Sequence, residues 1–154
     1  LPWAKESVRM HLPSYATGIV FHLGTFAAFG LLAATVAGFE LPPALAPAGA
    51  IVMLAGAGAG LALLVKRIAT PFLRGLSSPD DFMANLLTTS FGALAGATLL
   101  HPQLEPAWLV TAVVLLVYLP VGKIRHCVIF FSSRAYMGAF FGYRGTFPSA
   151  RQGR

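Results

Sequence analysis

The chain has 154 residues, of which 56% are hydrophobic and only 10% charged. With a mean hydropathy of +0.73 it carries more apolar material than one soluble core of this size needs. The formal charge is +6, but the bases flank apolar runs instead of forming patches interleaved with aromatics, which argues against a nucleic-acid partner. A lone cysteine, Cys127, excludes an internal disulfide and the paired-cysteine attachment of a c-type haem.

Leu1 is not an initiator methionine, and no apolar run precedes Ser14, so the N-terminus does not read as a signal peptide. Further sequence is expected upstream. Because a spanning helix needs roughly 20 mostly apolar residues, four later stretches qualify. Segment A covers Tyr15 to Phe39, with Pro13 suited to a first helical turn and Glu40-Leu41-Pro42-Pro43 as its stop. Segment B covers Ala48 to Val65 and is expected to end at Lys66-Arg67. Its Gly56-x-Gly58-x-Gly60 reads as a helix contact surface, as does Gly92-x-x-x-Gly96 further on. A phosphate loop is disfavoured, because no strand precedes the glycines and no Lys-Ser/Thr follows.

The connection Ile68 to Pro79 ends in Ser77-Ser78-Pro79-Asp80-Asp81, a helix start with acids in the first turn. Segment C runs from Phe82 to Leu100 and is closed by His101-Pro102. Segment D runs from Ala107 through Gly122 and is expected to continue through Lys123-Ile124-Arg125-His126 toward Ser133, kinked at Pro120. The fold class expected is an all-α integral membrane bundle of four transmembrane helices, one domain over residues 1–154, with a basic aromatic tail from Arg134 to Arg154.

All 11 bases fall on one side of this scheme. Lys5 and Arg9 precede A; Lys66, Arg67 and Arg74 join B to C; Lys123, Arg125, Arg134, Arg144, Arg151 and Arg154 follow D. The other two loops carry only Glu40 and Glu105. The positive-inside rule makes the basic side cytoplasmic, giving a multi-pass protein of the inner membrane with both ends of this sequence inside.

No acid or base lies within the four segments, which weakens a transporter, pump or voltage-sensor reading. Histidine remains. His22 lies inside A and His126 near the end of D, both toward the basic side, where two neutral imidazoles would hold a haem iron from both faces. The competing readings are a histidine bonded to a neighbouring helix at 22 and an interfacial base at 126. Gly18, one turn before His22, would leave room for a flat macrocycle, and Lys123 or Arg125 would balance carboxylates. His11 and His101 read as solvated or interfacial.

Val20-Phe21-His22-Leu23-Gly24, the Val65-Lys66-Arg67 exit with Pro71 and Arg74, and Leu119-Pro120-Val121-Gly122-Lys123-Ile124-Arg125-His126 carry a resemblance, strengthened by Phe130-Phe131-Ser132-Ser133-Arg134-Ala135-Tyr136. In these the chain resembles the gamma subunit of respiratory nitrate reductase and the related membrane cytochromes of heterodisulfide-reductase-like and sulfite-reduction-associated complexes. The resemblance implies five helices holding two b-type haems, with A as the second helix, D as the fifth, and the first helix upstream of Leu1. It makes His22 and His126 the ligands of the haem nearer the electron-accepting partner. The second pair would fall near Leu32 and Trp108, neither of which ligates iron, so one haem b is expected and quinol oxidation at the usual outer site is in doubt.

The expected function is therefore a haem b subunit of an oxidoreductase complex, moving electrons between the quinone pool and a cytoplasmic iron–sulfur subunit. The basic tail, with Tyr136, Phe140, Phe141, Tyr143 and Phe147, reads as a docking surface or as an amphipathic stretch on anionic lipid. The alternative function is a non-redox membrane anchor or assembly subunit of a larger respiratory complex.

Overall fold

The computed structural model describes residues 11–144. Lys5, Arg9, Phe147, Arg151 and Arg154, all invoked above, lie outside the described residues, as do the side chains of Val128, Tyr143 and Arg144. The described residues are all-helical: α1 Leu12–Val36, α2 Ala46–Ala69, α3 Pro71–Leu76, α4 Pro79–Thr98, α5 Glu105–Tyr118 and α6 His126–Arg144, with short 3-10 turns at Pro43–Leu45, Pro102–Leu104 and Lys123–Arg125.

Each boundary has a local cause. Proline occupies the first turn of α1 through α5, where its missing N–H costs nothing. Helix α1 stops at Val36, three residues short of the expected Phe39, because Gly38 turns left-handed (φ +75). The Phe39 N–H then donates to the Ala34 carbonyl and the Gly38 N–H to that of Thr35, a Schellman closure. Helix α2 does not stop at Lys66-Arg67 but runs through them to Ala69, carrying both bases in its last turn, where the macrodipole favours them. Ser78 and Asp81 cap α4 reciprocally, as the Ser-Pro-Asp-Asp pattern suggests.

The largest departure is at the end of segment D. The helix does not kink at Pro120 and continue; it ends at Tyr118, passes through Leu119–Gly122 and the 3-10 turn, and restarts as α6. Proline at 120 cannot donate to the carbonyl four residues back. Gly122 lets the Tyr118 ring fold over the chain where a Cβ would collide with it.

Helices α1, α2, α4 and α5 pack as a bundle, with α4 central and touching the other three. The glycine faces set the closest approaches. A Cβ on Gly24 would lie 2.6 Å from Gly56 Cα, and one on Gly96 would lie 3.2 Å from the Ala50 carbonyl. Gly58, between Gly56 and Gly60, faces open space, so only part of that run is contact surface. The core between α1, α4 and α5 is aromatic: Phe29 meets Phe91 at 4.9 Å between ring centroids, and Phe91 stacks on Trp108 at 6.3 Å.

Two helical stretches, Leu12–Val36 and Pro43–Ala69, are long and apolar enough to cross a membrane. Only 17% and 28% of their most apolar windows are buried inside the protein. Helices of that kind in a soluble core would be covered by protein. The expected spans C and D fall short of the same standard for physical reasons. Helix α4 begins with Asp80-Asp81 and carries Asn85, Thr88, Thr89 and Ser90, whereas the fourth apolar stretch, Pro102–Tyr118, is cut short by the break at Leu119–Gly122.

Candidate functional site

Helices α1 and α5 flank α4, and near the end of the bundle that carries Arg67 and Lys123 a cavity of about 740 Å3 opens between them. Its inner end is closed by Phe29 and Leu115, part of the packed core. Phe21, Phe26, Leu119 and Ile124 line its sides, so most of the wall is apolar. His22 from α1 and His126 from the start of α6 both face this space. The volume lies within the roughly 300–1,000 Å3 typical of cofactor and ligand pockets.

The polar groups gather at one rim. The Lys123 ammonium donates to both carboxylate oxygens of Asp81, at 2.7 and 2.8 Å. Arg67 Nη1 stands 3.7 Å from the same carboxylate and donates to Ser77 Oγ at 2.9 Å. The Lys123 ammonium, first, and the Ser78 cap hold the Asp81 carboxyl at about 2, below its ordinary 3.8, against a smaller opposing effect of desolvation. Asp80 accepts the Lys123 backbone N–H at 2.8 Å and the Tyr118 hydroxyl. The first turn of α4 is thereby tied to the break between α5 and α6.

That tie reaches His126. Its Nδ1 lies 2.6 Å from the Lys123 carbonyl oxygen. A carbonyl only accepts, so the proton of a neutral ring sits on Nδ1 and Nε2 keeps its lone pair. The Cys127 sulfur is 3.8 Å from that Nε2. Across the cavity, the His22 ring lies among Phe21 and Phe26, at centroid distances of 5.7 and 6.3 Å.

Of the residues singled out from the sequence, His22, His126 and Lys123 come together at the cavity, while Gly18 and Arg125 do not line it. Around Gly18 there is open space, and Arg125 is exposed. His11 and His101 are exposed and do not line the cavity. Leu32 and Trp108, where the resemblance would put a second ligand pair, are both buried in the core cluster. Sequence reasoning missed Arg67, Asp81 and Asn85 as cavity residues. A signal for the last two was present: Asp81, Asn85 and Thr88 recur at helical spacing on one face of α4.

Comparison with family models, with curated proteins and with solved structures gave no match to this chain.

Proposed function

We propose that this chain is the b-type haem membrane subunit of an oxidoreductase complex, crossing the bilayer four times with its basic end cytoplasmic, and moving electrons between the quinone pool and a cytoplasmic iron–sulfur subunit. The observation that carries this reading is that His22 and His126, more than a hundred residues apart, line one largely apolar cavity. The donor set fits the group. Two imidazoles suit iron, the Nδ1 proton of His126 is held by a backbone carbonyl so that Nε2 would be the ligating atom, and aromatic walls suit a flat macrocycle.

His22 and His126 would hold a haem b there, and it would supply one-electron chemistry. The chain's own residues do the rest. Lys123 and Arg67, at the rim, balance the carboxylates such a group carries. Phe21, Phe26 and Phe29 would offer apolar walls to the flat group. The packing of Leu32 and Trp108 into the core supports one haem in place of two. Lys66, Arg67, Arg74, Lys123 and Arg125 belong to the basic end, so the cavity lies on the side where a cytoplasmic partner would receive electrons.

An optical spectrum of the purified full chain tests the proposal. A b-type reduced band is expected in the wild type and is expected to vanish in both His22→Ala and His126→Ala while each variant stays folded by circular dichroism. A colourless, folded wild-type protein, prepared with haem supplied, overturns it and leaves the non-redox anchor or assembly role.

A further inference from the structure

Helix α6 leaves the bundle at the cavity rim and packs chiefly against the 3-10 turn that precedes it. Its bulky apolar side chains are not spread evenly. Ile129, Phe130, Tyr136, Met137 and Phe140 fall on one arc of about 120° at helical spacing, and each is about half exposed or more. The opposite arc is mostly small residues, Ser132, Ala135, Gly138, Ala139 and Gly142, with the exposed Phe131 among them. Ser133 lies on the apolar arc, and its hydroxyl donates to the Ile129 carbonyl.

The charge is as one-sided as the shape. From Pro106 to Arg154 the sequence contains no Asp or Glu, but it holds Lys123, Arg125, Arg134, Arg144, Arg151 and Arg154. Arg134 lies near the middle of α6, with its guanidinium 5.4 Å from the centre of the Phe130 ring. A charge so placed is costly at the centre of a bilayer, which disfavours a fifth crossing. At a headgroup level the same side chain runs along the aromatic and reaches lipid phosphate. The arc of aromatics, in turn, is poorly suited to open water.

We infer that α6 is an interfacial helix: it lies in the plane of an anionic cytoplasmic leaflet, with its aromatic arc in the acyl boundary and Arg134 on acidic headgroups. This rests on the membrane reading above but not on the haem. It gives the basic end a second function, fixing the α5–α6 break, and with it Lys123 and His126, at a set depth.

The test uses the full chain in a Cys127→Ser background, spin-labelled singly at Met137→Cys, Ala135→Cys or Leu23→Cys and reconstituted into vesicles of phosphatidylcholine with or without phosphatidylglycerol. In anionic vesicles the label at 137 is expected to be severalfold more accessible to oxygen than to a water-soluble nickel chelate, with the reverse at 135. Arg134→Gln with Arg144→Gln, or removal of phosphatidylglycerol, is expected to shrink that contrast. Equal, water-like accessibility at 135 and 137 with Leu23 immersed overturns the interfacial helix alone and points to a protein partner. Immersion of both 135 and 137 overturns it in favour of a crossing, and water-like accessibility at Leu23 overturns it together with the membrane reading.

Discussion

Lys123 is the residue on which most of the site converges, and it acts through three different groups. Its backbone N–H is held by Asp80, its ammonium by Asp81, and its carbonyl orients His126. On sequence it reads as a cation beside a histidine, placed to balance carboxylates. The titration of Asp81 gives this contact a measurable consequence. The carboxyl sits at about 2 when folded against 3.8 ordinarily, so the folded state binds that proton less readily than the unfolded one. The stabilisation is therefore complete above pH of about 4 and is lost as pH falls through about 2. At a rim this close to solvent it amounts to about 1 kcal/mol. The thermal midpoint in detergent is expected to fall across that window more steeply for the wild type than for Asp81→Asn; identical slopes would show that Lys123 and Asp81 are not coupled.

Trp108 is the other residue whose environment decides an outcome. It is 1% exposed, stacks on Phe91, and its Nε1 has no hydrogen-bond partner among the described residues. Trp108→Ala empties a large core site and is expected to cost about 3–5 kcal/mol. Trp108→Phe keeps most of the ring packing and removes the unsatisfied N–H, a group whose burial costs about 1–3 kcal/mol. The two effects of Phe oppose each other, so its net change is expected to stay within about 1 kcal/mol. Unfolding midpoints of the two variants against wild type check this, and a loss with Phe as large as with Ala would mean that the indole N–H does bond in the folded protein.

At the scale of helices, hydropathy located α1, α2 and α4, and the Ser-Pro-Asp-Asp start of α4 was readable because capping is local chemistry. The ends were less readable for equally definite reasons. Gly38 and Phe39 are apolar and so extend a hydropathy run, yet the left-handed turn at Gly38 has already closed the helix. Lys66 and Arg67 interrupt a hydropathy run without interrupting the backbone. Pro120 announced a disturbance, but whether it bends or breaks a helix depends on Tyr118 folding over Gly122 and bonding Asp80, a contact across 38 residues that periodicity does not carry. The cavity followed the same division. His22 and His126 were visible as isolated rings in apolar sequence; Arg67 and Asn85 became site residues only through the packing of α2 and α4 against α1.

The glycines separate the two kinds of information most sharply. On sequence Gly24, Gly56 and Gly58 are equivalent small residues in apolar helices. In the fold, a Cβ at Gly24 meets the backbone of Gly56 and the Val52 carbonyl at 2.6 and 3.0 Å, atoms that cannot turn aside, whereas Gly58 meets nothing within 4 Å. Gly24→Ala is therefore expected to force α1 from α2 and destabilise by about 1–3 kcal/mol. Gly58→Ala is expected to be neutral or to stabilise by up to about 1 kcal/mol through helix propensity. Denaturation of both variants in the same detergent checks the pair, and equal effects would mean that the α1–α2 crossing is looser than its geometry.

For the whole molecule, the distribution of charge and the distribution of packing agree on one polarity. The end that gathers Arg67, Asp81 and Lys123 also holds the cavity and both of its histidines; the core of Phe29, Phe91 and Trp108 lies behind it, and the opposite end bears Glu40 and Glu105. Two helices meet the length and apolarity of a crossing by themselves. For α4 and α5 to cross as well, α4 must hide its polar residues against its neighbours. The contacts support this: Thr88 and Thr98 bond carbonyls of their own helix, Thr89 bonds Asn85, and the Asp80 and Asp81 carboxylates stay at the rim with Tyr118 and Lys123. The four-crossing arrangement then has a direct consequence for labelling in intact cells. In a Cys127→Ser background, a membrane-impermeant thiol reagent applied from outside is expected to reach Glu40→Cys and Glu105→Cys, and to reach Arg74→Cys only after the membrane is opened. If α1 and α2 alone cross, the order of the loops changes: Arg74 and Glu105 then lie on the same side, and cysteines at those two positions become accessible together.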